Sequence, residues 1–304
     1  MSSLVLHIDE LLNHILSFNR YDPATLQACC TVSKHWHEVA IPILYHTFRL
    51  TCTADVQIAV DVAYHSTFWP PPQRQPISVS CNFFDRNPLI AHSIRHLILG
   101  VVPTSLPANF RLSAQFYMYR DSIQRVLSLL PRLRELVLVD LLIWGAPFPS
   151  SIEAPITRLE KLSVRFPRQN WHIQWRHLLN ILALFPMPSS ILTIYEFGRG
   201  LTTTFEAQAV RTAHQWTPSI YTGHLRVELL GMLSFGHFFS ALGTLPCIST
   251  TPKLTVTYLS SASVVSCEEF LHSMADGLKE LNLHVFRMHP TSDPTSTCAY
   301  IKCL

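Results

Sequence analysis

The chain has 304 residues, 48% of them apolar and only 14% charged, a balance with too few solvated residues for long disordered segments and enough apolar ones for a large core. Twenty-three basic against 20 acidic residues give a net charge of +3 with no dense basic cluster, so no nucleic-acid partner is expected. No run of about 18 uncharged apolar residues is available to cross a membrane, and the eight cysteines lack the paired spacing of a disulfide scaffold, which points to reduced thiols in the cytoplasm or nucleus.

Asp9 and Glu10 interrupt the first apolar stretch, so no secretory leader is expected there. Ile8, Leu11, Leu12, Ile15 and Leu16 fall at i, i+3, i+4, i+7 and i+8, the spacing of one helix face, with Asp9 and Glu10 expected in the first turn. Asp22-Pro23 is a start signal, a side-chain cap followed by proline at the first helical position. The second helix runs through Leu26 and Cys30. Ser33 caps a third over Lys34 to Ala40, which Ile41-Pro42 is expected to end. About 45 residues lie near the lower limit for independent folding, and their apolar faces exceed what a small bundle can bury, so a neighbour or partner should cover them.

The order Leu6, Ile8-Asp9-Glu10-Leu11-Leu12, Ile15-Leu16-Ser17-Phe18, Asp22-Pro23, Leu26, Cys29-Cys30, Val32-Ser33-Lys34, Trp36 resembles an F-box, the segment that docks receptor proteins onto the Skp-type adaptor of cullin-RING ubiquitin ligases. The resemblance covers residues 4 to 48 or so and departs from the family at His7, where proline is usual. It implies a helical adaptor-binding domain over residues 1–48, with contacts from Leu6, Ile8, Leu11, Leu12, Ile15, Leu16, Leu26, Val32 and Trp36.

Beyond it, Leu44 to Leu50 reads as a first strand, a helical turn or two is expected between Ala54 and His65, and Pro70 to Pro76 reads as a stiff surface connection. Ile77 to Cys81 alternates apolar and polar residues, the pattern of another strand. A theme of apolar-x-x-apolar-x-apolar then recurs as Ile94/Leu97/Leu99, Leu133/Leu136/Leu138, Leu159/Leu162/Val164 and Leu278/Leu281/Leu283, with weaker copies at Leu192-Thr193-Ile194, Leu225-Arg226-Val227 and Leu254-Thr255-Val256. The middle apolar residues, at 97, 136, 162, 192, 225, 254 and 281, stand 39, 26, 30, 33, 29 and 27 residues apart. Helix-like pieces lie between them, at Asp121 to Leu130, Arg176 to Phe185, Phe205 to Trp216, His237 to Leu245 and Glu268 to Ala275. Several end at a proline, as at Pro131, Pro186 and Pro246.

One strand and one helix per interval is the unit of a solenoid. Residues 49–304 resemble leucine-rich repeats of an irregular sort, and the expected class is α/β, a three-helix F-box followed by an irregular leucine-rich-repeat-like α/β solenoid. The intervals are long for that family, and Val102, Leu141, Pro167 and Phe286 stand where it places asparagine or cysteine, so the turns must be held by other means. A doubly wound domain is the rival, but no Gly-rich strand-to-helix turn is present. The last strand is followed only by a Pro/Ser/Thr/Asp loop and Cys298 to Leu304, which leaves the end cap of a solenoid in question.

In the repeat reading, the variable strand positions share one face: His96, Glu135, Lys161, Ser163, Arg165, Tyr195, Arg226, Glu228, Thr257, Asn282 and His284. Mixed charge with Tyr and Arg suits a protein target, and Lys161, Arg165, Tyr195, Arg226, Glu228, Asn282 and His284 are the candidate contacts. Cys29-Cys30 with His35 and His37 could suggest zinc, but helical neighbours diverge by about 100°. Cys267 and His272 stand five apart, an offset that does not share a helix face. No nucleophile elbow, phosphate loop or His-Glu-x-x-His is present, so neither a cofactor nor catalysis is expected. The reading is a substrate-recognition subunit that meets the adaptor, and through it a cullin, at one end and an unknown protein target along the repeats. A scaffold with a degenerate anchor is the alternative.

Overall fold

The computed structural model describes residues 2–52, 75–101, 117–139, 141–144, 159–165, 189–195, 222–228, 250–259, 276–286 and 298–303, with single helical positions between 178 and 274. The expected turn at 54–65 and the helix at 205–216 lie outside the described residues. Of the helices expected at 176–185, 237–245 and 268–275, only a few positions are described, and these are helical.

Three helices open the chain: α1 (Ser2–Phe18), α2 (Pro23–Val32) and α3 (Lys34–Leu44). Both expected caps form. Asp22 accepts from the Thr25 amide at 3.2 Å, and Ser33 accepts from the Trp36 amide at 3.2 Å, each satisfying a donor that a helix start leaves unpaired. Two local expectations are corrected. Helix α1 begins at Ser2, so Asp9 is not in its first turn; its carboxylate instead meets His35 Nε2 of α3 at 2.9 Å. Helix α3 continues through Pro42 to Leu44. Pro42 and Glu38, whose carbonyl loses its i+4 donor, are both exposed, so water can take the freed acceptor and the kink proline normally causes is blunted.

Strand β1 (Thr47–Cys52) follows, then α4 (Gln75–Arg86) and α5 (Pro88–Ser93). The strand expected at 77–81 is therefore a helix. Cys81 and Phe84 are buried while Val79 is exposed, which is helical spacing; strand alternation would have put Val79 beside Cys81. Pro76 falls in the first helical turn, where its missing N–H is no loss.

The remaining elements are β2 (His96–Val101), β3 (Tyr117–Tyr119), α6 (Arg120–Ser128), β4 (Glu135–Val139), β5 (Leu142–Trp144), β6 (Lys161–Arg165), β7 (Ser189–Tyr195), β8 (Thr222–Glu228), β9 (Lys253–Leu259), β10 (Glu280–Phe286) and β11 (Cys298–Cys303). Among the described residues nine strands form one open sheet in the order β1-β2-β4-β6-β7-β8-β9-β10-β11, and β3 and β5 pair separately. The order follows the chain without reversal, every pair from β1 to β10 is parallel, and β11 lies antiparallel on β10 and covers its edge. The structure is thus helices at the amino terminus followed by a parallel α/β sheet.

Register is fixed where strands begin. The His46 carbonyl accepts from the Arg95 and His96 amides, Arg95 from Arg134 and Glu135, Arg134 from Glu160 and Lys161, and Pro252 from Lys279 and Glu280, at 2.7 to 3.1 Å. At these four junctions one carbonyl thus receives the first amide of the next strand and the amide just before it, so the strands are aligned by backbone. The leucine theme fills the core. Leu97, Leu99, Leu136, Leu138, Leu162, Val164, Leu192, Ile194, Leu225, Val227, Leu254 and Val256 are all buried on one face, packed against helical residues such as Ile123, Val126, Leu178 and Phe270. At the first edge, Phe48 of β1 packs against the rings of Phe83 and Phe84, with centroids 6.4 and 5.4 Å away.

Candidate protein-binding surfaces

The helical head has its own small core of Leu12, Leu16, Leu26 and Ala40, with Trp36, Val39, Ile43 and the two cysteines packed around it. On α1 the inward pair Leu12 and Leu16 is one turn apart. Leu11, Ile15 and Phe18, at i, i+4 and i+7, form a second stripe about 100° away. That second stripe is exposed, as are Tyr21 and Val32. A single apolar face expected from spacing is in fact two stripes, one buried and one exposed.

The expected adaptor contacts divide accordingly. Leu11, Ile15 and Val32 present side chains to solvent, and Trp36 is half-buried. Leu12, Leu16 and Leu26 are buried in the head's core. The side chains of Leu6 and Ile8 lie outside what the structure describes. Cys29 and Cys30 pack against the core, burial pushes the Cys30 thiol up, and His37 Nδ1 is 3.3 Å from the Cys30 carbonyl oxygen. The Thr25 hydroxyl and amide hold the Asp22 carboxyl below the usual range.

Residues 9–51 match the family model described as F-box-like. No curated protein sequence matches the chain significantly. The F-box-like segment ends inside β1, so its last residues already belong to the sheet.

The outward face of that sheet carries three cross-strand rows set by the register. The first is His96, Glu135, Lys161, Ile191, His224, Lys253 and Glu280; the second Ile98, Val137, Ser163, Thr193, Arg226, Thr255 and Asn282; the third runs through Val139, Arg165, Tyr195, Glu228, Thr257 and His284. All seven expected target contacts lie on this face. Lys161 belongs to the first row, Arg226 and Asn282 to the second, and Arg165, Tyr195, Glu228 and His284 to the third.

Two positions expected to stand out from the face do not. Ser163 is only 2% exposed and Asn282 6%, because longer neighbours in the flanking rows close over short side chains in the middle one. Ser163 Oγ has no hydrogen-bond partner there, while Asn282 Nδ2 donates to Glu280 Oε1 at 3.1 Å. Charges on the face are largely matched: Arg226 meets Glu228 at 2.7 Å, Lys253 meets Glu280 at 2.8 Å, and Lys161 lies 4.0 Å from Glu135. Burial, then the Glu228 charge, raises the Tyr195 phenol, and burial lowers the His224 imidazole, whose Nε2 is 2.9 Å from Thr255 Oγ1. His224, Lys253 and Glu280 were missed by sequence reasoning. His224 and Lys253 stand one place before short copies of the theme, outside the three-residue windows that defined them, while Glu280 lies within the full copy Leu278/Leu281/Leu283, just before its middle leucine.

Among the described residues no helix is long and apolar enough to cross a membrane, and no group of His, Cys, Asp and Glu is arranged to hold a metal ion.

Proposed function

We propose that the chain is the substrate-recognition subunit of a Skp-cullin-F-box ubiquitin ligase, binding the adaptor through its helical head and a protein target through the outward sheet face. The observation that carries this reading is the exposed stripe of Leu11, Ile15 and Phe18 with Val32, on the segment that matches the F-box-like family. F-box domains bind Skp-type adaptors, and a stripe left open beside a complete core is what an apolar docking contact needs. The chain-ordered parallel sheet supports the irregular leucine-rich-repeat reading, since a strand-helix unit repeated in one direction lays its strands down in sequence.

No catalytic group is assigned. The contribution is proximity, which raises the local concentration of target lysines beside the transferring enzyme. The compartment in this reading is cytoplasm or nucleus. The test is a pull-down of the adaptor and cullin by the full chain and by a Leu11→Arg/Ile15→Asp variant. The variant should lose both. Unchanged capture would leave the rival reading, a scaffold that never meets a ligase. Proteins captured from cells with residues 1–48 present and absent then identify the target.

A further inference from the structure

Where the helical head meets the first strands lies a cleft of about 810 Å³, within the range of small-ligand sites of ~300–1,000 Å³. Its walls bring together Arg20 and His46 from the head and His92, Arg95, His96 and Arg132 from the segments leading into β2 and β4, and no carboxylate among the described residues lines it. Among the described residues none of the three guanidiniums pairs with an acid. Arg20 lies over the Tyr21 ring, 4.5 Å from its centroid, and donates to its hydroxyl, while Arg95 Nη1 donates to the Arg132 carbonyl at 3.1 Å.

This differs from the neighbouring sheet face, where Lys161, Arg226 and Lys253 each face a carboxylate. Like charges converging in a partly desolvated cleft repel, and the Arg95 guanidinium is pushed below its ordinary value by burial and then by Arg132 and Arg134. Burial also lowers the His46 and His96 imidazoles, against the opposing pull of the Glu135 charge. His96 Nε2 is buried with no hydrogen-bond partner. Three unneutralised guanidiniums and an orphaned ring nitrogen around one cleft are a receptor for anionic oxygens, and the guanidinium fork suits phosphate.

We propose that this cleft binds a compact small molecule bearing two or more phosphate groups, which bridges the head and the sheet. Several phosphates are needed because the arginines come from three separate segments, and a small molecule is favoured over a phosphorylated protein segment because the cleft is walled by both units. The binding itself does not depend on the ubiquitin-ligase reading, so adaptor capture measured in parallel separates failure of one from failure of the other.

The probe is inorganic tripolyphosphate, titrated into the full chain by calorimetry at low salt with the melting temperature followed alongside. Saturable binding with a raised melting temperature is expected, weakening as salt is raised severalfold. Arg20→Gln and Arg132→Gln should each weaken it by roughly tenfold, with the probe-free melting temperature confirming that each variant is folded, while Lys253→Gln should bind as the parent does. Absence of saturable binding, parental affinity in either arginine variant, or affinity indifferent to salt would overturn the proposal. So would a phosphoserine peptide binding more tightly than tripolyphosphate, which would make the occupant a phosphorylated protein.

Discussion

Replacing Leu11 and Ile15 together by alanine separates docking from folding on one helix. Leu11 is 58% and Ile15 49% exposed in the free chain, so about half of each side chain's surface remains for a partner to cover. Complete burial of such a side chain contributes about 1.5–3 kcal/mol, so the exposed halves supply about 2 kcal/mol between them, or roughly a 30-fold change in affinity. The halves already covered in the free chain contribute a comparable amount to folding, so the melting temperature should fall by only a few degrees. Leu26→Ala is the counter-perturbation. Its side chain is fully buried in the head, so truncation should destabilise by about 2–5 kcal/mol. Titration of the adaptor by calorimetry, with thermal melts of the same preparations, reads both effects. If the double variant binds the adaptor with parental affinity, or loses affinity only in step with its melting temperature, the division of the head into an inner and an outer stripe is wrong.

Ser33→Ala should cost about 1 kcal/mol by removing the cap on α3, seen as faster amide exchange at Trp36. Ser163→Ala should do the opposite, raising the melting temperature by about 2 °C, because it deletes a buried hydroxyl without a partner whose desolvation costs ~1 kcal/mol or more. The charge swap Lys253→Glu with Glu280→Lys keeps the pair and hence the sheet, but inverts the outward pattern. Target capture should fall well beyond the small loss of melting temperature expected from removing the Glu280 acceptor of Asn282 Nδ2. Acid should weaken the fold through His46, His96 and His224, whose imidazoles burial holds below their unfolded value. Protonation then favours the unfolded chain, so their stabilisation is complete above about pH 6.5 and is lost as pH falls through the lowered folded values. A melting temperature constant from about pH 7 to 5 would contradict this.

What could be read in advance was whatever depends on near neighbours in the chain. Asp22 and Ser33 cap their helices through contacts three residues away, and the leucine theme announces its strands because alternation alone puts Leu97 and Leu99 on one face. A five-residue alternation such as Ile77 to Cys81 is too short to tell period 2 from period 3.6, and the helix emerges only when Phe84 and Cys81 find the same core. The burial of Ser163 and Asn282 was hidden because alternation assigns a residue to a face without saying how far its neighbours on that face cover it. The same reasoning explains why Leu12 and Leu16 could not be told from Leu11 and Ile15. Both pairs have helical spacing, and only the position of α2 and α3 decides which one is covered. The basic cleft was equally illegible, since Arg20, Arg95 and Arg132 share nothing in sequence.

The sheet converts position along the chain into distance from the head. Because its strands follow chain order, each adds about 4.8 Å, which puts β6 about 14 Å and β10 about 34 Å from β1 on the order observed. The first link in this series is the His46 carbonyl, which belongs to the end of the head and receives the Arg95 and His96 amides of the sheet. Head and sheet are therefore joined by the same bond that aligns later strands, rather than by a free linker. A target gripped near Arg226 and His284 would be held at a set distance from whatever covers Leu11 and Ile15. Such rigidity is what a proximity mechanism requires, since effective concentration falls as the connection between two bound sites loosens. The cleft beneath that junction, walled by Arg20 on one side and Arg95 on the other, is accordingly the place where a small ligand could alter the geometry most.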